Sequence, residues 1–313
     1  MKLKNILLYL FVLLFAVCIP AADLLTGAGV TGGSTLLQPF GARPSGMGEA
    51  FTAVKGDLTG IFYNPAAIYG IRNQQISVQY SRGLISDTFG SVFWGKPFKF
   101  GVLGASVLYY NAGDIDLIDL SGKESTVNAQ RDFLGILTFG KMFGRVCFGS
   151  NIKLLHTRLV EEVSATAFMA DLGANIYFNK RLGAGVSVSN LGGKLKYIDV
   201  GDDLPMTFRS GIFYHLVEYG GYSLFMSNQS LSVAVDAVKL KDDDITGNIG
   251  VEYGYYTDNG VISARFGYKA GYDLAGMTMG AGISHGRISI DYALLFMDIA
   301  KQHRFGLSYR FGK

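Results

Sequence analysis

The sequence predicts an all-β protein, a transmembrane antiparallel β-barrel of about 14 strands. Three observations carry that expectation. From about Gln75 onward the chain alternates apolar and small or polar residues with period two, in segments about ten residues long. The composition is unusual for a soluble domain: charged residues are 17% of the chain, against about 25% ordinarily, and glycine, at 42 residues, is about twice its usual share. The amino terminus carries an export signal. Lys2 and Lys4 precede an apolar run from Ile6 to Ile19, with the small residues Ala21 and Ala22 after it. That run is too short to span a bilayer and has the flanks of a cleaved secretory peptide.

The alternation is clearest late in the chain. Ile249, Val251, Tyr253 and Tyr255 alternate with Asn248, Gly250, Glu252 and Gly254; Ile262, Ala264, Phe266 and Tyr268 with Ser263, Arg265, Gly267 and Lys269. Leu182 to Ser189 and Phe305 to Phe311 repeat the pattern. Successive strand side chains point to opposite faces, so each segment has one lipid-like face and one of Gly, Ser and charges. A soluble sandwich also alternates, but it carries long charged side chains outside, where this chain has Gly. Segments centre near Val78, Phe93, Ala105, Leu137, Ile152, Leu172, Val186, Phe208, Val233, Val251, Phe266, Met279, Ile290 and Leu307, the one at Leu137 alternating poorly. Tight links are expected near Phe98, Gly144, Lys180, Asn259 and Gly286, and longer ones between them, notably Asn111–Gln130 and Gly192–Asp203. Short turns on one side and long loops on the other suit an outer-membrane barrel with the short side periplasmic. The link from Leu216 to Asn228 is long where a short turn is expected.

The organisation read from this is a signal peptide (1–22), an amino-terminal segment (23–74) and a barrel (75–313) in the bacterial outer membrane, with outer-membrane lipids around it. The inward faces carry Lys153, Asp171, Arg209, Asp236, Glu252, Arg265, Asp291 and Arg310, four basic and four acidic groups expected to pair with one another or to form a charged constriction. Glu252→Gln is expected to be tolerated by the fold.

No enzyme is indicated. Gly27, Gly29 and Gly32 have a dinucleotide-loop spacing, but no strand precedes them. Cys18 falls in the signal region, so Cys147 is the one cysteine of the mature chain, leaving no disulfide and no cysteine metal site. Asp242, Asp243 and Asp244 could gather a hard cation; an acidic loop tip is the reading taken. No catalytic residue, metal site or cofactor is expected, and the net charge of +3 without a basic run points away from nucleic acid.

One stretch departs from the strand pattern: Gly41-Ala-Arg-Pro-Ser-Gly-Met-Gly-Glu-Ala-Phe51, then Asp57, then Asn64-Pro65-Ala66-Ala67. It resembles the amino-terminal signature of the PorV/PorQ family of outer-membrane barrels, distant relatives of FadL-type transporters. Gly41, Arg43, Gly46, Met47, Gly48, Asn64, Pro65 and Ala66 match, while Ala67 stands where the family often has Gly. Asp202 to Pro205 before Arg209 and the ending His303 to Phe311 are similar too. The resemblance implies that the segment folds inward as a plug, and that Phe311, in the last strand, signals to the barrel-assembly machinery, although Gly312 and Lys313 extend past it. It implies either passage of a hydrophobic ligand or, in type IX secretion, the carrying of a secreted cargo protein; a structural surface barrel is the third alternative. A barrel this wide must be water-filled or plugged, and Arg43 would need a carboxylate there, with Asp171, Asp236, Glu252 and Asp291 as candidates.

Overall fold

The computed structural model describes residues 32–38, 40–83, 87–118, 122, 124–160, 163–217, 228–272, 275–297 and 301–312. The expected signal peptide and most of the Leu216–Asn228 link lie outside the described residues. In chain order the strands are β1 (Gln75–Arg82), β2 (Thr88–Phe98), β3 (Gly101–Asn111), β4 (Asp114–Ile118), β5 (Glu124–Asn128), β6 (Gln130–Phe143), β7 (Val146–Leu159), β8 (Val163–Tyr177) and β9 (Leu182–Gly192). Then follow β10 (Lys194–Lys196), β11 (Gly201–Asp203), β12 (Thr207–Val217), β13 (Gln229–Leu240), β14 (Ile245–Thr257), β15 (Gly260–Ala270), β16 (Ala275–His285), β17 (Ile288–Met297) and β18 (Lys301–Arg310). Fourteen of these close into an antiparallel barrel in which β1 pairs with both β2 and β18. The other strands form two hairpins, β4–β5 and β10–β11, which occupy the two longest described links.

Each expected segment centre falls in its own barrel strand. The links β2–β3, β6–β7, β14–β15 and β16–β17 span two residues each, and both hairpins lie at the opposite end. Leu137, Ile152, Leu172, Phe266, Ile290 and Leu307 all point outward and are exposed. In water so continuous an apolar surface would drive association. In hydrocarbon it is the ordinary state, and a closed ladder leaves no strand edge with unpaired N–H or C=O groups. The outer surface is therefore that of a membrane-spanning barrel.

The inward face differs from the uniform polar face expected. On β2, β3 and β6 to β8 it includes Phe89, Phe93, Leu108, Leu134, Ile136, Leu155 and Met169, all buried. This explains the poor alternation near Leu137. Leu137 and Phe139 face outward, while Leu134 and Ile136 are equally apolar and face inward. On β12 to β18 the inward face keeps the expected charges and glycines.

Phe266 sits mid-strand, opposite Val251 on one side and Met279 on the other. Phe266→Arg should cost about 2–4 kcal/mol of folding free energy in vesicles, the range for a cation on the lipid face at mid-bilayer. Equilibrium refolding into liposomes measures this, and an unchanged midpoint would mean that the residue does not meet lipid.

Candidate functional site in the barrel lumen

Residues 32 to 74 run through the inside of the barrel. Gly33 lies against Leu155 and Leu195 near the hairpin end; Ile71 lies beside Val102 and Met142 near the short turns. The segment forms a five-residue helix, Ala42–Gly46, and 3-10 turns at Ser34–Leu37, Leu58–Phe62 and Pro65–Gly70. Local chemistry sets these turns. Asp57 caps its turn by accepting hydrogen bonds from Thr59 N and Oγ1 at 2.9 and 2.6 Å. Asn64 accepts from Ala66 N at 3.0 Å, and Pro65 follows at the first position of the turn, where its missing N–H costs nothing. Gly48, with φ 60°, has no room for a side chain: a Cβ would stand 2.8 Å from Tyr268 N and 2.9 Å from Ile249 O.

Such irregular backbone leaves N–H and C=O groups that short turns cannot pair. The barrel's inward side chains pair them. Gln79 accepts from Ala42 N at 3.0 Å, and Thr278 from Gly48 N at 2.9 Å. Asp236 Oδ2 accepts from Phe51 N, Thr52 N and Thr52 Oγ1 at 2.8, 2.9 and 2.6 Å. Asn151 donates to Ile61 O at 3.0 Å, Ser187 to Tyr63 O at 2.6 Å and the Cys147 thiol to Ala66 O at 3.3 Å.

The inward glycines make the space. A Cβ on Gly149 would meet Ala66 N at 2.2 Å, one on Gly267 would meet Gly48 N at 2.0 Å, and one on Gly250 would meet Met47 O at 2.4 Å. Gly173 and Gly185 are similarly pressed by Asn64 and Thr52. The glycine excess thus has a specific use, as clearance for a second chain segment against the wall.

The charged residues form separate clusters. Arg43 grips Glu252 with two hydrogen bonds, Nε to Oε2 at 2.9 Å and Nη2 to Oε1 at 2.7 Å, and lies 3.4 Å from Asp57. Glu252 also accepts from Arg265 Nε at 2.6 Å, and Arg265 Nη1 donates to Asp291 at 2.7 Å. Of the four carboxylates open to Arg43, Glu252 is the partner. Its change to Gln would leave two guanidiniums short of charge beside the inner segment, although the strand ladder does not depend on it. Lys153 pairs with Asp171 at 2.7 Å and donates to Asn190; Asp171 also accepts from Asn190 N at 2.8 Å. Glu49 bonds Lys269 and lies 3.9 Å from Arg209.

Two expectations need correction. Asp236 binds inner-segment backbone rather than a lumen cation. Arg310 shares the inward parity but is exposed at the rim, 3.3 Å from Gly286 O, because the strand ends there. Glu49 was missed; Asp57, named in the motif, and Lys269, placed on the inward face, were not expected as partners of the inner segment's charges. Glu49 lies inside the Gly-rich motif at φ 63°, where the sequence reads as a turn. Met47, Gly46 and Ala66 are buried, Met47 near Gly250 and Gly46 against Gly280. Phe311 is exposed, its N–H donating to Gln74 O at 2.8 Å, its ring edge-on to Tyr309.

No protein-family model and no curated protein matches the chain. Among solved structures it is similar to the Pseudomonas putida toluene transporter TodX (TM-score 0.54, 10% identity, 91% of this chain and 96% of that one). It is also similar to the CymD monoaromatic hydrocarbon channel (0.55, 11%, 88% and 98%) and to a Pseudomonas aeruginosa FadL homologue (0.52, 14%, 91% and 100%). At these identities the likeness establishes a shared fold: a FadL-like barrel.

The clearance can be tested at Gly149. Gly149→Ala should leave the barrel closed but displace residues 64 to 67, destabilising the packed segment by about 1–3 kcal/mol as overpacking does. The variant should keep its heat-dependent gel mobility while gaining protease cuts in that stretch; a wild-type digest would contradict the packing. A second expectation concerns acid. Burial alone would raise the Glu49 carboxyl, but Lys269 and then Arg209 outweigh burial and hold it below its ordinary 4.5. A carboxylate held down in the folded state stabilises that state above its ordinary value, and the contribution is lost as pH falls through the lowered one. Residues 41 to 67 should therefore stay protected through the ordinary carboxylate range and open only as pH falls below it, and Glu49→Gln should weaken protection at neutral pH and flatten the profile. An unchanged acid profile in Glu49→Gln would assign the step to other carboxylates.

Proposed function

We propose that this is an outer-membrane barrel that passes hydrophobic small molecules, with residues 41 to 67 as a plug that must shift for passage. The observation that carries the reading is the apolar inner wall. Phe89, Phe93, Leu108, Leu134 and Leu155 line the lumen and pack with Phe40, Leu58, Ile61 and Ile68 of the inner segment in one cluster. A water-filled porin keeps a polar interior. An apolar wall facing a segment that is not part of the sheet offers a hydrophobic guest a surface as soon as the segment moves. The barrels with the same fold are named as a toluene transporter and a hydrocarbon channel, which supports passage over the carrying of cargo. The motif resemblance to the PorV/PorQ family agrees with the same role for Arg43 and Asn64, which tie the plug to Glu252 and to the Ala174 carbonyl. Phe311, at the end of the closing strand, serves in this reading as the assembly signal.

The test is a deletion of residues 41 to 67 from the folded barrel, compared with the full chain in planar bilayers and in liposomes loaded with a fluorescent hydrophobic probe. The full chain should conduct ions poorly and still admit the probe. The deletion should conduct strongly. Equal conductance in the two would mean that the segment does not close the lumen, and no probe entry above protein-free liposomes would remove the transport reading.

A further inference from the structure

The two ends of the barrel differ in charge. The five described short turns, those after β2, β6, β8, β14 and β16, hold Lys99, Arg145, Lys180, Arg181 and Arg287 and a single acid, Asp258. The links at the other end carry acidic runs such as Asp242, Asp243 and Asp244. Inside the basic rim lies an open cavity of about 290 Å³ between the end of the inner segment and the β2–β3 turn, lined by Arg72, Lys99 and Lys141 with Tyr69, Ile71 and Phe100, the Lys141 ammonium lying 5.1 Å from the centre of the Phe143 ring. None of the three cations belongs to an ion pair among the described residues. Three cations lining one cavity give it a positive surface that an anion complements.

The cavity's other border selects among anions. Phe100 stacks on Phe98 at 5.4 Å between ring centres and lies 6.4 Å from Phe139, which points outward into the lipid. A ligand held by Arg72, Lys99 and Lys141 would thus continue along an aromatic surface that already faces acyl chains. Arginine presents a planar fork to phosphate, and lysine a point charge. Aromatic rings take the headgroup level of a bilayer.

We infer that this cavity binds the phosphate headgroup of an anionic phospholipid drawn from the leaflet beside the short turns. The lipid's chains lie against Phe98, Phe100 and Phe139, and the basic turns extend the attraction around the rim. Bound there, the lipid fixes the height of the barrel in the bilayer and neutralises the mouth below the inner segment. The inference does not depend on what passes through the lumen, and its readout is lipid binding alone.

The full barrel, stripped of lipid in a neutral detergent, is titrated with phosphatidylglycerol or phosphatidylcholine and followed by native mass spectrometry. Phosphatidylglycerol should bind at least about tenfold more tightly, and Arg72→Gln with Lys99→Gln and Lys141→Gln should weaken it by roughly tenfold to a hundredfold while leaving phosphatidylcholine unchanged. Lys194→Gln with Lys241→Gln, at the opposite end, should leave both lipids as in the parent. Heat-dependent mobility reports whether the triple variant is folded; if it is not, Lys99→Glu alone, in an exposed turn, should still lower phosphatidylglycerol binding. Equal binding of the two lipids, or full binding by the folded variant, would overturn the assignment. So would inorganic phosphate that competes as tightly as the lipid, because that result describes a bare anion site.

Discussion

The structure depends on one constraint: an irregular chain segment inside a membrane barrel must have every backbone polar group met by protein. Bulk water does not reach a closely packed lumen, and each unmet N–H or C=O there costs about 1–3 kcal/mol. Among its described residues the amino-terminal segment has one five-residue helix and short 3-10 turns to satisfy itself. The remaining groups fall to Gln79, Thr278, Asp236, Asn151 and Ser187, each from a different barrel strand. A polar inward face is therefore needed for the inner segment as much as for solutes. Asp236 illustrates the economy of this: one carboxylate oxygen takes three donors from Phe51 and Thr52.

The same constraint accounts for the glycines. Hydrogen bonds of 2.6 to 3.0 Å between a wall side chain and an inner backbone require the two chains to approach almost as closely as neighbouring strands. At Gly149, Gly250 and Gly267 the approach is closer still, with the inner backbone standing where a Cβ would be. Small wall residues beside longer polar ones let the segment sit against the sheet at some points and be held away from it at others.

Most of the barrel was legible in the sequence because period two and the outward apolar residues are local properties. Each strand reports its own face, and the closing pair β1–β18 follows once the count is right. The inner segment was legible only where its chemistry is local as well. Asn64 and Pro65 read as a capped turn, and the Gly41 to Gly48 run as backbone in unusual conformations, two of its residues having φ 84° and 60°. Long-range pairing was not legible. Nothing near Arg43 distinguishes Glu252 from Asp171, Asp236 or Asp291, because the choice depends on where the segment crosses the lumen. Glu49 was missed for the same reason: its partners Lys269 and Arg209 lie far along the chain. The apolar inner wall hid in plain view, since inward Leu134 and Ile136 blurred the alternation that would have marked them as inward.

The lumen's two walls hold the inner segment by different forces, and the difference bears on how it could move. Against β14 to β17 the contacts are charged: Arg43, Glu252, Arg265 and Asp291 form a chain in which each group satisfies its neighbour. Removing one member of such a buried set typically costs about 3–5 kcal/mol, because the others are left desolvated. No apolar molecule can replace a carboxylate there. Against β2, β3, β6 and β7 the side-chain packing is apolar, Phe40, Leu58, Ile61 and Ile68 on Phe93, Leu108, Leu134 and Leu155, with Asn151 and Cys147 adding hydrogen bonds to inner carbonyls. Dispersion and burial are not directional, so a hydrophobic guest gives the apolar part of that wall what the segment gives it. The exchange leaves the wall's apolar area covered throughout. On the transport reading the path accordingly follows the β2 to β8 wall, with the segment pivoting about its ionic side, which stays bound.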